Sequence, residues 1–108
     1  MPSKFEQSVY DITKKIPKGY VSTYKLIAIA LGKPNSSRAV GTALSKNPYA
    51  PKVPCHRVIK SDFTIGGFFG DTTGTNVDRK IKLLKKEGIK FNSKNNKVIV
   101  DNKLFTPK

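Results

Sequence analysis

Cysteine and histidine are scarce in this chain, whose 108 residues include one of each. A single cysteine cannot form an internal disulfide. One cysteine and one histidine also cannot supply the four nitrogen and sulfur ligands that a structural zinc site needs. The sequence therefore predicts a domain that folds without disulfides and without a metal site.

Long apolar runs are missing as well. The longest is Leu26 to Leu31, far short of the roughly 20 residues that a membrane span needs. The first residues, Met1 to Glu6, lack the apolar core of a signal peptide. We therefore expect a soluble intracellular protein with no membrane partner, cytoplasmic in a prokaryote or nuclear in a eukaryote.

Acidic residues are few: 7 Asp and Glu stand against 21 Lys and Arg, which gives a formal net charge of +14. This charge favours a polyanionic partner, with nucleic acid ahead of an anionic membrane. The alternative is a solvated lysine-rich surface, because only Arg38, Arg57 and Arg79 among the cations are arginines. A 37% hydrophobic content is enough for one core in a single domain over residues 1–108.

Helical periodicity predicts four helices. The first carries Phe5, Val9, Ile12 and Ile16 and closes before Pro17. The second follows a cap at Ser22 or Thr23 and stops at Gly32. The third starts at Ser36 or Ser37, and its predicted buried side chains are Ala39, Val40, Ala43 and Leu44. The fourth runs from about Asn76 to Glu87, with Gly88 as its stop.

The second and third helices flank a short turn at residues 32–35, which is typical of a helix-turn-helix. Residues 89–91 and 97–100 are short β-prone segments around a polar turn, and they predict a hairpin. A hairpin that follows a helix-turn-helix is called a wing. The predicted fold class is mainly α: a winged-helix-like domain with a helix-turn-helix and a small C-terminal β-hairpin.

The cysteine and the histidine are neighbours in the segment Pro54-Cys55-His56-Arg57-Val58. Residues 48–54 contain three prolines, which predict a stiff, mostly extended loop before them. A lone cysteine is more often a small buried hydrophobe than a nucleophile. Against that, His56 and Arg57 both favour a thiolate nearby, and a rigid loop would hold the sulfur in place.

A nucleophilic Cys55 needs a base and a group that orients the base. Neighbours in an extended chain point to opposite sides, so we expect a water to relay the proton to His56. Glu87, just before Gly88, is a candidate for the group that sets the tautomer of His56. The alternative is that Glu87 is merely solvated and screened by Lys85 and Lys86.

Six motifs in the same order resemble those of the O6-alkylguanine-DNA alkyltransferases, over about residues 5–90. They are Ile16 to Tyr24, Arg38-Ala39-Val40-Gly41, Asn47-Pro48, Pro54-Cys55-His56-Arg57-Val58, Gly66 to Gly70 and Leu83 to Gly88. We expect the chain to differ from the common family pattern by lacking an N-terminal α/β domain. Phe68 stands where tyrosine is common and Asp71 where glycine is common. A longer segment between Gly70 and Lys80 leaves open whether Lys80 is the family's pocket lysine.

The resemblance implies a suicide DNA-repair enzyme, a methylated-DNA-[protein]-cysteine S-methyltransferase that acts once on a flipped base. It implies Cys55 as alkyl acceptor, His56 as water-mediated base, Glu87 as the residue polarising His56 and Asn47 as a hinge amide. For DNA binding it implies Arg38 as a finger that fills the vacated stack, with Tyr24, Thr23, Ser36, Ser37 and Gly41. The implied substrate pocket comprises Tyr24, Leu44, Val58, Phe68, Phe69 and Gly70.

We expect no cofactor, a monomer, and double-stranded DNA containing O6-alkylguanine as the partner. Two other functions stay open. One is a non-catalytic damage sensor like the compact alkyltransferase-like proteins, in which Trp or Ala replaces the reactive cysteine. The other is a winged-helix transcription factor with an incidental Cys55. The presence of Cys55 favours the transferase over both.

Overall fold

The computed structural model describes residues 2–50, 52–66, 74–95 and 97–107. The helices are α1 (Lys4–Thr13), α2 (Tyr24–Ala30), α3 (Ser37–Ser45) and α4 (Thr75–Lys86), and a 3-10 turn spans Cys55–Arg57. The strands are β1 (Ser22–Thr23), β2 (Val58–Ile59), β3 (Lys90–Phe91) and β4 (Val98–Ile99). The predicted mainly helical fold class is confirmed.

Helix α1 is shorter than the sequence predicted. It starts at a capping box in which Ser3 accepts from the Glu6 backbone N–H while the Glu6 carboxylate accepts from the Ser3 N–H. It ends at Thr13, and Ile16 lies in a following turn, although its side chain is buried as expected. The physical reason is Pro17, whose ring disfavours helical backbone at Ile16.

The helix-turn-helix forms from α2 and α3. Of the two predicted caps for α2, Thr23 is used: its hydroxyl accepts from the Leu26 backbone N–H at 3.1 Å. Gly32 ends the helix with a φ of +74°, which glycine adopts without strain. In α3, Ala39 is exposed, so its predicted burial is wrong. The buried face consists of Val40, Ala43 and Leu44.

Two hydrophobic cores lie on either side of a short parallel pairing between β1 and β2. Ser22 pairs with Val58, and Thr23 pairs with Ile59. Val58 belongs to the core formed by α1, α2 and α3, whereas Ile59 belongs to the core formed with Leu84, Ile89 and Val98. Because successive residues of a strand face opposite sides, β2 joins both cores and fixes the position of the turn before it.

The predicted wing is confirmed as an antiparallel pairing of β3 with β4. The chain then returns along β1, where the Val21 N–H donates to the Lys103 carbonyl and the Phe105 N–H donates to the Val21 carbonyl. Phe105 packs against the first core. The sequence did not predict this return. Among the described residues, no helix is long and apolar enough to cross a membrane.

Candidate active site and nucleic-acid surface

Cys55 lies in a tight turn, not on an extended loop as predicted. Residues 48–50 and 52–53 form turns and a bend. Pro54 has φ −82° and ψ 69°, and the Cys55 N–H donates to the Val53 carbonyl at 2.8 Å, which is the geometry of an inverse γ-turn. The 3-10 turn then begins at Cys55. Both Cys55 and His56 are only 5% exposed, so the turn holds both side chains in the interior.

Asn47 connects the end of α3 to this turn. Its side-chain N–H donates to the Val53 carbonyl at 2.8 Å, and its side-chain oxygen accepts from the Tyr49 N–H at 2.9 Å. The Val53 carbonyl therefore accepts from both Asn47 and Cys55. This arrangement suits the hinge role that the resemblance implies for Asn47, since the amide fixes the position of the loop relative to α3.

The Cys55 thiol is protonated in the resting protein at neutral pH. Burial raises its pKa above the ordinary value, and a hydrogen bond from Asn47, the charge of Lys80 and backbone N–H groups only partly oppose that increase. The side chains of His56 and Arg57 are not what lowers the pKa of Cys55, so the expectation that they favour a thiolate is wrong for this state. Desolvation of the sulfur outweighs the nearby cations.

Glu87 contacts His56, as the sequence predicted. The distance from His56 Nε2 to Glu87 Oε2 is 3.0 Å, and the Glu87 side chain is 11% exposed. Burial tends to raise the pKa of Glu87, but hydrogen bonds from Arg57 and His56 outweigh it and lower that pKa below its ordinary value. The alternative of a solvated Glu87 screened by Lys85 and Lys86 is therefore wrong.

The contact with Glu87 determines the tautomer of His56. An ionised carboxylate only accepts hydrogen bonds, so Nε2 carries the proton and Nδ1 keeps its lone pair. Burial lowers the pKa of His56, and Arg57 and Lys80 lower it further, while Glu87 opposes them. At neutral pH the ring is therefore a neutral imidazole whose Nδ1 is an acceptor nitrogen.

Lys80 is the buried residue whose assignment the sequence left open. Its side chain is fully buried and donates from Nζ to the Val58 carbonyl at 2.7 Å. Burial lowers the pKa of Lys80 to about 7. The sequence contained one signal that Lys80 lies on the side of the site. Lys80 precedes Glu87 by seven residues, and residues two helical turns apart share one helix face.

Tyr24 lies between α3 and the loop that leaves β2. A Cβ at Gly41 would lie 3.9 Å from its ring, and a Cβ at Gly66 would lie 3.0 Å from its hydroxyl. Nζ of Lys80 is 5.8 Å from the centre of the ring. Burial raises the pKa of Tyr24 to about 12, so its hydroxyl remains a donor at neutral pH.

The other residues predicted for the site lie in different parts of the structure or outside the described residues. Leu44 and Val58 are buried in the first core, and Phe68, Phe69 and Gly70 lie outside the described residues. Thr23 is 3% exposed and its hydroxyl caps α2. The Thr23 side chain therefore shapes the start of α2, and its role in DNA binding stays a prediction.

The outer face of α3 is polar, small and cationic. Arg38, Ala39 and Thr42 are exposed, and Ser36, Ser37 and Gly41 are partly buried. A groove of about 720 Å³ separates this face from the N-terminal end of α1 and is lined by Phe5, Arg38, Ala39, Thr42 and Lys46 among others. Small side chains allow close approach of a sugar-phosphate backbone, and Arg38 adds a charge for it.

A helix-turn-helix followed by a wing is typical of winged-helix DNA-binding domains, and this one also holds a buried cluster of a cysteine, a histidine and a glutamate. The model of the DNA-binding domain of 6-O-methylguanine DNA methyltransferase matches residues 4–89, and the chain belongs to this family. A methylated-DNA–protein-cysteine methyltransferase of Pyrobaculum aerophilum is 51% identical over 68% of this chain and 45% of its own length.

Two solved structures are similar over most of the described fold. Mycobacterium tuberculosis OGT in complex with DNA is 38% identical over 81% of this chain and 51% of its own, with a TM-score of 0.67. S. pombe Atl1, in complex with damaged DNA containing O6-carboxymethylguanine, is 31% identical over 99% of this chain and 100% of its own, with a TM-score of 0.80. The chain spans about half the length of the curated methyltransferases it matches.

Proposed function

We propose that this protein repairs O6-alkylguanine in double-stranded DNA by moving the alkyl group irreversibly onto its own Cys55. The observation that carries the proposal is the buried turn in which Cys55 adjoins a neutral His56 whose Nε2 is held by Glu87 at 3.0 Å. A buried thiol that is only a packing residue needs no such base. This arrangement is the nucleophile, base and orienting group of covalent catalysis.

The transfer balances without a cofactor. The Cys55 thiol gives its proton through a bridging water to Nδ1 of His56, and the sulfur attacks the alkyl carbon. The S–C bond forms as the C–O6 bond breaks, and O6 keeps the bonding electron pair. The guanine leaves as an anion and becomes neutral by taking up the proton that His56 received, so His56 returns to its neutral form and the protein retains a stable thioether. One chain therefore repairs one base.

The alkyl carbon is inside the duplex, so the base must be flipped before Cys55 can reach it. The exposed face of α3 supports this step because its small residues fit a groove wall, and Arg38 can fill the stack that the base leaves. Tyr24 lies between that helix and the reactive turn, where it can contact the extruded nucleotide. The Val58 carbonyl, which accepts from Lys80, has a second lone pair for the amino group of guanine.

A damage sensor is the second candidate, favoured by the likeness of the whole chain to S. pombe Atl1 in complex with damaged DNA. A sensor needs the α3 face and Arg38 but has no use for a proton acceptor beside Cys55. The contact between His56 and Glu87 is therefore the feature that favours a transferase.

Intact mass spectrometry separates the two candidates. The chain is incubated with a duplex that contains one O6-methylguanine, and we expect a stoichiometric mass gain of one methyl group in place of the thiol hydrogen. Cys55→Ser should bind the same duplex with nearly unchanged affinity and gain no mass. Tight binding of the damaged duplex by the wild type without any mass gain would select the sensor.

A further inference from the structure

Arg57 makes more contacts with Glu87 than His56 does. Its Nε donates to Glu87 Oε1 at 2.9 Å and one terminal nitrogen donates to Oε2 at 2.8 Å. The planar guanidinium and the planar carboxylate therefore form a bidentate ion pair, which is stronger than a pair with a single hydrogen bond. The Arg57 and Glu87 side chains are 16% and 11% exposed, so the pair is screened little by solvent.

Among the described residues, three charged groups act on the His56 imidazole. Glu87, at the end of α4, attracts a proton to the ring, whereas Arg57 in the 3-10 turn and Lys80 in α4 repel one. Cys55, the neighbouring residue, carries the thiol. A buried carboxylate with no other cation would stabilise imidazolium, and a doubly protonated ring cannot accept the proton of Cys55.

We propose that Arg57 is a positioning residue that keeps His56 in its neutral, proton-accepting form. Its guanidinium neutralises Glu87, and Oε2, which accepts one bond from Arg57, also accepts the bond from Nε2 of His56 through a second lone pair. Glu87 therefore fixes the tautomer of the base without drawing a second proton onto the ring. The importance of this effect for alkyl transfer rests on the proposed function, in which His56 receives the proton of Cys55.

Arg57 also has a contact that is purely structural, and a test must separate the two. Its other terminal nitrogen donates to the Ile16 carbonyl at 2.9 Å, in the connection between α1 and β1. Gly19, in the same connection, lies so near the end of α4 that a Cβ would sit 3.5 Å from the Glu87 carbonyl. Loss of the Ile16 contact would lower stability but would not change how His56 titrates.

NMR titration of His56 reads the electrostatic role directly, because the chain has a single histidine. In Arg57→Gln we expect the His56 pKa to rise above the wild-type value, since burial and Lys80 still oppose the carboxylate of Glu87 but Arg57 no longer does. Arg57→Lys keeps the charge and should show a smaller rise. Arg79→Gln, an exposed arginine on α4, is the matched control and should leave His56 unchanged. An unchanged His56 titration in folded Arg57→Gln would overturn the proposal.

Arg57→Gln leaves the buried Glu87 carboxylate without its partner, and that variant can fail to fold. A second comparison, made without the carboxylate, tests the proposal in that case. Glu87→Gln is compared with the double variant Arg57→Gln/Glu87→Gln. With no carboxylate present, removal of Arg57 removes only a repelling charge, so the double variant must have the higher His56 pKa. Equal pKa values, or the reverse order, would contradict the inference.

The link to transfer is tested with free O6-benzylguanine, which needs no base flipping. In Arg57→Gln the acid limb of the single-turnover rate against pH should move to higher pH together with the His56 pKa, because less of the base is neutral at a given pH. A wild type that never becomes alkylated would refute the proposed function. A wild type that reacts, with an acid limb that stays in place in Arg57→Gln while His56 shifts, would refute the role of Arg57 in transfer.

Discussion

Cys55, the proposed alkyl acceptor, is held in a fixed position and is buried, and these two properties have opposite effects on its reactivity. Cys55 is held firmly, because its N–H bonds the Val53 carbonyl and Asn47 braces the same carbonyl. The burial that holds it also raises the pKa of its thiol. In the proposed transfer, a firmly held nucleophile gains from orientation but must lose its proton as it reacts, and accepting that proton is the role proposed for His56.

The first prediction concerns Glu87→Gln. We expect slower transfer, because the amide no longer holds His56 as an anion does, and lower stability, because Arg57 loses its partner. Loss of a charged hydrogen bond of this kind costs on the order of 1–3 kcal/mol. Single-turnover kinetics and melting curves measure the two effects. An unchanged rate would remove Glu87 from the mechanism, and an unchanged melting temperature would mean that its pairing with Arg57 contributes nothing to stability.

The stabilising effect of Glu87 should also depend on pH. Its folded-state pKa is below the ordinary 4.5, so its contribution is complete above that pH and is lost as the pH falls through the folded-state pKa. The difference in melting temperature between wild type and Glu87→Gln should therefore narrow in acid.

A second prediction at this scale concerns Lys80. Its pKa is about 7 in the folded chain against 10.5 ordinarily, so between these values the unfolded chain binds a proton that the folded chain does not. Stability should therefore rise as the pH increases from about 7 to 10.5. Lys80→Met should remove this dependence, which denaturant unfolding at several pH values would reveal as a difference from the wild type. Parallel pH curves for the two proteins would contradict a lowered pKa for the buried Lys80 amine.

At the scale of the elements, α3 joins two surfaces with different tasks. Val40, Ala43 and Leu44 anchor it in the first core, while Arg38 and Thr42 remain exposed. The Tyr10 hydroxyl donates to the Ala43 carbonyl at 2.7 Å and ties the helix to α1. A helix held this way can press against DNA without shifting relative to Asn47 and the reactive turn.

Arg38→Ala tests the outer surface of α3. We expect slower reaction with an O6-methylguanine duplex, because the stack vacated by the flipped base collapses when nothing fills it, at a cost of about a few kcal/mol. Reaction with free O6-benzylguanine should change much less. Arg79→Ala on α4 is the matched loss of an exposed arginine. Equal losses of rate on both substrates would make Arg38 a structural residue.

At the scale of the whole molecule, charge and shape indicate how DNA is held. The chain measures 38 × 28 × 22 Å over its described residues and carries a formal net charge of +14. Damage occurs in any sequence, so we infer that affinity comes mainly from phosphate contacts and little from reading base edges.

Binding of undamaged duplexes at several salt concentrations tests this inference. The logarithm of the binding constant should fall by about 0.9 per phosphate contact for each unit of log salt, with little dependence on sequence. A flat salt profile would mean that the lysines serve only solubility. A strong preference for one sequence would instead indicate a transcription factor.

The sequence by itself determined the elements and the family. Periodicity and caps predicted four helices and the wing, since helix period, glycine stops and proline breaks act within a few residues of each other. The position of Glu87 at the end of α4 was likewise sufficient to nominate it as the partner of His56. At the end of α1, the apolar periodicity extended the predicted helix to Ile16 while Pro17 disfavoured helix there. The helix ends at Thr13, so the predicted boundary was wrong by only a few residues.

Tertiary structure alone decided how the site behaves chemically. Arg57 was expected to assist the thiol, but packing places it on Glu87, 30 residues away along the chain. Lys80 is fully buried and Thr23 is 3% exposed, while Ala39 is left outside. Burial and long-range pairing arise only when helices, strands and turns pack together, and they set the pKa values of Cys55, His56 and Lys80 through desolvation. No local pattern in the sequence encodes that desolvation, which is why the protonation states had to come from the fold.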